Sequence, residues 1–246
     1  MSNPLVRKLS NYVDLPEDDR KALEALAQAP KVVAAHTDII REGDPMDGVY
    51  LILTGWACRY KILPDGQRQL MAYFIPGDLC DQRIFILERM DHCIGTITPA
   101  TVAVIAAQTM IDLTDRHPRI ARALWWSTLV DEAITREWVV NVGQCKAMER
   151  VGHLICEMFV RLRAVGLTDG LSFDFPVTQT ELGDTTGLST VHTNGMLQEL
   201  RAEGLISVKG RRVTIVDLDR LVELSMFNPN YLHLERESDG PDNRIS

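Results

Sequence analysis

The sequence predicts an α+β chain made of a β sandwich or barrel, one long helix, and a small helical unit ending in a two-stranded wing. Three observations carry this. Short runs rich in Val, Ile, Leu and aromatics recur about every ten residues through the first hundred, separated by Gly-containing turns. From Pro118 to about Val142 a helical pattern runs without a further Pro or Gly. Residues 177–216 then read as helix, Gly turn, helix and hairpin. The 246 residues are 46% apolar and 24% charged, within the range of ordinary globular chains.

Taken in order, Pro16 sits at the first turn of a short helix whose Glu17, Asp18 and Asp19 complement the helix dipole. Strands are expected over 31–35, 48–53, 56–61, 68–74 and 101–106. Glu42-Gly43-Asp44, Asp47-Gly48, Pro64-Asp65-Gly66 and Pro76-Gly77-Asp78 turn the chain between them. The helix from Pro118 carries apolar residues on more than one stripe and must be covered on two sides. Its own β domain is one cover. The same helix of a second copy is the other, with Leu124, Val130, Ile134 and Trp138 as the candidate dimer interface. A central helix buried within a monomer is the alternative. Gly143 reads as a break and a candidate hinge. A second helix over about 146–165 follows, with Val151, Leu154, Ile155, Met158, Phe159 and Leu162 at helical spacing. The expected boundaries are a β unit at 1–117, a helix for pairing with a second copy at 118–143, a helical and winged unit at 144–234 and a disordered polar tail at 235–246.

The informative stretch is VTQTELGDTTGLSTVHTNGMLQELRAEGL, residues 177–205. Thr178 followed by Glu181 is a capping box, Gly187 stops that helix after two turns, and Ser189 caps the next, which runs to about Ala202 before Gly204. Gly183 lets the second helix cross closely, and Leu182, Leu188, Met196, Leu197 and Leu200 fall where a shared core needs them. Residues 206–208 and 212–216 alternate around Lys209-Gly210-Arg211 as a wing. A winged helix-turn-helix sets the first half of its second helix in the DNA major groove. The candidate reading residues are therefore Ser189, Thr190, Val191, His192 and Asn194. Thr178, Gln179 and Thr180 are placed for phosphates at a helix N-terminus, and Lys209, Arg211 and Arg212 lie in the wing.

With these residues in view, the chain over roughly 20–230 resembles the Crp/Fnr superfamily of bacterial transcription regulators. The resemblance lies in REGDPMDGVYLILTGWACRY, LPDG, FIPGDL, the central helix, and TQTELGDTTGLSTVH with LRAEGLI. GxxCRYKxLPDGxRQ and AMERVGHLICEMFVRL look like the alphaproteobacterial branch. It implies a cyclic-nucleotide-binding-like jelly roll, a long central dimerisation helix and a winged helix that reads palindromic operators. Double-stranded DNA, a second copy and RNA polymerase are the implied partners. Effector binding is implied to change how the central helices meet and so to reposition the recognition helices.

Two departures from the family pattern matter. Cyclic-nucleotide-binding members carry a Gly-Glu pair for the ribose and an Arg-Ser pair for the phosphate. The corresponding positions here are Asp81-Gln82 and about His92-Cys93, which form the candidate effector pocket. With no Arg there and Asp81 in place, tight cAMP binding is not expected. In the recognition helix, Gly195 stands where the family usually has an Arg. Either His192 and Asn194 read a different operator, or the chain is a dimeric adaptor with weakened DNA binding.

Other classes are excluded or disfavoured. No uncharged run reaches the ~18 residues of a membrane helix, and no secretory leader is read at the N-terminus. Five cysteines without CxxC spacing suggest reduced thiols and a cytoplasmic setting. No Cys precedes Cys58, so the iron–sulfur cluster of Fnr-type sensors is not expected. Cys58, Cys80 and Cys93 lie in the sensor half, as redox thiols or as packing; His36 and His92 are haem-ligand types or structural histidines. No metal site is expected. Without a phosphate loop, HExxH or GxSxG, the chain is not expected to be an enzyme. Its net charge of −8 divides unevenly. Residues 1–143 hold 15 basic against 19 acidic residues, 144–216 eight of each, and 217–246 three against seven. The DNA-reading segment is thus neutral.

Overall fold

The computed structural model describes residues 3–45, 48–81 and 89–234, so Gln82 and the tail at 235–246 lie outside the described residues. The N-terminal half is a sandwich of two four-stranded antiparallel sheets. Its strands are β1 (Lys31–Val33), β2 (Asp38–Ile40), β3 (Gly48–Thr54), β4 (Ala57–Ile62), β5 (Arg68–Phe74), β6 (Leu79–Cys80), β7 (Cys93–Thr96) and β8 (Ala100–Ala106). The sheet orders are β1-β8-β3-β6 and β2-β7-β4-β5, the crossing connections of a jelly roll. Ile40, Ile52, Ala57, Phe74, Cys80, Ile94 and Val102 fill the space between the sheets. The β3–β4 turn depends on Gly55, at φ +79°, where a Cβ would stand 2.3 Å from the Pro99 carbonyl oxygen.

Five of these strands match the sequence expectation within a few residues. β2, β6 and β7 were not expected; at three, two and four residues they are too short for alternation to register. Helices α1 (Pro4–Ser10) and α3 (Ala107–Arg116) also escaped the sequence reading, whereas α2 (Glu17–Ala25) starts directly after Pro16 as expected.

Helix α4 (Pro118–Gln144) corrects two expectations. It runs straight through Gly143, and the chain breaks instead at Cys145 and Lys146, which are extended with ψ 152° and 161°. Leu124, Val130, Ile134 and Trp138, expected at a dimer interface, are buried within the chain, none more than 8% exposed. Leu124 packs with α1 and β3, and the other three with the sandwich and α5 (Ala147–Ala164). The stripe facing outward is instead Trp125, Leu129, Val139 and Val140, with Glu132 and Arg136 between them. Either side of a helix apolar on two faces suits the sequence pattern, and packing decides which one turns inward.

Beyond α5 lie β9 (Thr168–Asp169), β10 (Ser172–Asp174), α6 (Gln179–Thr186), α7 (Thr190–Ala202), β11 (Ile206–Lys209), β12 (Arg212–Ile215) and α8 (Leu218–Leu224). The wing hairpin β11–β12 belongs to a four-stranded sheet in the order β11-β12-β10-β9. Among the described residues no helix is long and apolar enough to cross a membrane.

Candidate functional site

The helix pair α6–α7 is built by local chemistry. Thr178 Oγ1 accepts from the Glu181 backbone N at 3.2 Å, and the Thr178 backbone N donates to Glu181 Oε2 at 2.8 Å, closing the capping box. Gly187 ends α6 at φ +69°. Ser189 Oγ then accepts from the His192 backbone N at 3.2 Å and opens α7. A Cβ on Gly183 would meet the Leu188 carbonyl oxygen at 2.5 Å, so the tight crossing requires glycine there. Leu182, Met196 and Leu200 are buried between the helices, with Leu188 and Leu197 packed alongside.

Thr178, Gln179, Thr180, Ser189, Thr190, Val191, His192 and Asn194 are all exposed, as are Lys209, Arg211 and Arg212 of the wing. Two contacts join the helix N-termini: Gln179 Nε2 donates to Asn194 Oδ1 at 3.1 Å, and Thr180 Oγ1 lies 3.5 Å from Thr190 Oγ1. The wing turns at Gly210, φ +61°, which leaves the Lys209 and Arg211 side chains at its tip. Arg212 is drawn back by Asp169 and Asp174 at 3.2 and 3.3 Å.

The opposite side of α6 rests on the sensor. Arg68 Nε donates to Asp184 Oδ2 at 2.8 Å, Gln69 Nε2 donates to the Thr185 carbonyl at 3.3 Å, and the Tyr73 hydroxyl lies 2.5 Å from Thr185 Oγ1. Trp56, Tyr73, Trp138 and Phe175 meet edge to face beneath these bonds, with ring centroids 5.8–6.0 Å apart. The sequence reading missed this seam, since nothing local marks a strand for contact with a helix 110 residues later.

Within the sandwich, Asp81 and His92 come together around a third group that the sequence reading did not select. Arg59 on β4 sends Nη2 to Asp81 Oδ1 at 2.7 Å and lies over the Phe74 ring at 5.2 Å. His92 Nε2 is 2.9 Å from Asp81 Oδ2, and its Nδ1 is 2.6 Å from Asp91 Oδ1. Burial alone would raise the Asp81 carboxyl; the His92 hydrogen bond and the Arg59 charge outweigh it and hold it below the usual carboxylate range. A guanidinium is therefore present at this site, supplied from β4 and already paired. Cys93 turns away, its Sγ accepting from the Glu42 backbone N at 3.3 Å.

Burial pushes the Cys58 and Cys156 thiols up to about 12 and raises Cys80 well above its ordinary value. His36 is exposed, with Nδ1 3.8 Å from Glu181 Oε1. Among the described residues no group of three or more His, Cys, Asp or Glu is arranged to hold a metal ion.

Comparison with known proteins agrees with this architecture. Residues 30–117 match the cyclic nucleotide-binding domain family, and residues 149–224 match the Crp-like helix-turn-helix domain family. Transcriptional activator protein FnrL of Cereibacter sphaeroides is 25% identical over 189 residues, 75% of each chain. Nitrogen fixation regulation protein FixK of Azorhizobium caulinodans is 23% identical, covering 79% of this chain and 78% of its own. The structure of FixK2 from Bradyrhizobium japonicum superposes with a TM-score of 0.72 at 24% identity, covering 80% of this chain and 96% of that one.

Proposed function

The chain belongs to the Crp/Fnr family of DNA-binding transcription regulators, and on that premise we propose that it acts as a homodimer on palindromic operators under control of an effector sensed by the jelly roll. The observation that carries the proposal is the closed helix-turn-helix. Its second helix exposes Thr190, Val191, His192 and Asn194, while every residue of its inner side is packed or capped. Two such helices related by a dyad address half-sites about one DNA turn (~34 Å) apart. Thr178, Gln179 and Thr180 contact phosphate at the start of α6. Lys209 and Arg211 contact phosphate from the wing, and Arg212 contributes less because its charge is already shared with Asp169 and Asp174. With so few free cations the salt dependence of binding is shallow, and affinity comes from dimerisation on a well-matched site.

The dimer forms along the outward stripe of α4. Trp125, Leu129, Glu132, Arg136 and Val139 recur at spacings of four and three residues, the period of a coiled-coil seam. Transcription control then follows through contact with RNA polymerase in the cytoplasm. Catalysis has no part in it.

Effector identity is constrained by the Arg59–Asp81 pair. A cyclic nucleotide phosphate entering there competes with a carboxylate already bound to the guanidinium, so tight cAMP binding is disfavoured. Cys58, Cys80 and Cys156 serve as packing, since their raised pKa values keep them as thiols. Both ring nitrogens of His92 are directed at carboxylates, which disfavours it as a haem ligand. A dimeric adaptor without DNA binding is not favoured, because the Crp-like helix-turn-helix match is complete across α5 to α8.

Genome-wide footprinting of the protein in its own cells tests the proposal. The expected result is a set of promoter sites sharing a two-fold symmetric motif; protection with no shared motif counts against it.

A further inference from the structure

The outward side of α7 carries no Asp, Glu, Lys or Arg before Glu199. In place of charge it presents Val191, an aliphatic side chain that is 84% exposed. Asn194 and Gly195 follow at i+3 and i+4, on the same face. A Cβ at Gly195 would have nothing within 4 Å, so the bare backbone beside Asn194 is open to an approaching ligand. Gln179 reaches across from α6 and donates to Asn194 Oδ1 at 3.1 Å. That bond fixes the plane of the Asn194 amide, leaving Nδ2 free to donate and Oδ1 with a second lone pair to accept.

These groups match one kind of base-pair edge. Guanine is read best by a guanidinium or ammonium on its O6 and N7, and cytosine N4 by a carboxylate, and this face has neither. Adenine offers an N7 acceptor and an N6 donor to a side-chain amide, and thymine offers a C5 methyl to an apolar group. We propose that the Val191–Asn194–Gly195 face reads A·T pairs. Val191 packs on a thymine methyl, Asn194 pairs with adenine, and the bare backbone at Gly195 lets the helix seat close to the base edges. Gln179 is a positioning residue for Asn194. Thr190 and His192 flank this face and serve the neighbouring phosphates and bases. The inference rests on the DNA-binding reading above and adds which edges are read.

The test uses the full chain in mobility-shift titrations on duplexes carrying the footprinted operators. Thymine is replaced by uracil, which lacks only the methyl, at each half-site position in turn. At one position per half-site, uracil weakens binding about fourfold, and about sixteenfold when both half-sites are changed, the effect of one buried methyl each. In Val191→Ala that uracil penalty disappears while discrimination at the adenine position remains. Asn194→Ala reduces discrimination against G·C at the adenine position by about tenfold or more, and Gln179→Ala reduces it in the same direction. A motif with invariant G·C at the contacted positions, or equal binding of uracil and thymine everywhere, overturns the inference and leaves the regulator reading standing. Cells that yield no shared motif overturn both.

Discussion

Asp81 adopts φ +53°, a left-handed backbone that residues other than glycine rarely take, and its carboxylate is clasped by Arg59 and His92. The pair of residues was half legible in the sequence. Asp81 and His92 follow from the family resemblance, as the positions that correspond to its ribose and phosphate pairs. Arg59 does not, because it sits on a different strand and reaches the site only through the pairing of β4 with β7, where Arg59 faces Ile94. Its neighbours Cys58 and Tyr60 point the other way, into the seam with the reader. The arrangement makes this charge cluster self-liganded. Asp81→Ala leaves the guanidinium without its carboxylate, lowering stability by about 1–3 kcal/mol and opening the site to anions. In thermal-shift measurements, added cAMP raises the Tm of Asp81→Ala and leaves the native chain unmoved. A native chain stabilised by micromolar cAMP would falsify the self-liganded reading.

Among the elements, α6 and α7 were the most legible, because every boundary has a local cause: the Thr178–Glu181 box, Gly187, Ser189 and Gly204. Helix α4 was legible in length and not in orientation. Its buried inner face includes small Ala123, Ser127 and Ala133, and its outer face interleaves Glu132 and Arg136 with apolar residues. A pattern of apolar residues alone therefore does not tell the inward face from the outward one. The two faces are separable by substitution. Leu129 is 53% exposed and Leu124 is 6% exposed. Leu129→Asp places a charge in the seam between copies; sedimentation then finds a monomer with native circular dichroism, and binding to the palindrome falls by a hundredfold or more. Leu124→Ala leaves the dimer intact and lowers stability by about 2–5 kcal/mol. A dimeric Leu129→Asp protein would move the partner contact off this stripe.

Across the whole molecule, sensor and reader share one core rather than meeting at a wet surface. Beside the aromatic seam lies a chain of buried charges. Lys8 of α1 binds Asp78 at 2.7 Å, Asp78 binds Arg161 of α5 at 3.1 Å, and Arg161 binds Glu157 at 3.2 Å. Glu157 also accepts from Trp138 Nε1 of α4 at 2.8 Å and from the Tyr231 hydroxyl at 2.9 Å. One network thus ties the N-terminal helix, the turn after β5, the central helix and the root of the reader, and any rigid-body switch between the domains must bend it or carry it along. Asp78 is its centre, 4% exposed. Burial would raise its carboxyl, but Lys8 and Arg161 outweigh that and hold it below the ordinary carboxylate value. A carboxyl with a depressed native pKa binds fewer protons folded than unfolded. Its stabilisation is therefore complete above the unfolded value of about 3.9 and drains away as pH falls through the lower native value. Asp78→Asn leaves two buried cations short of a partner and lowers stability by about 3–5 kcal/mol at neutral pH. Denaturant unfolding of both proteins between pH 7 and pH 3 gives a difference that is constant down to about pH 4 and shrinks below it. A difference that stays constant to pH 3 means that Lys8 and Arg161 do not shift the Asp78 carboxyl, and one that grows as pH falls means that Asp78 is protonated in the native state; either outcome removes the charge network as the source of this stability.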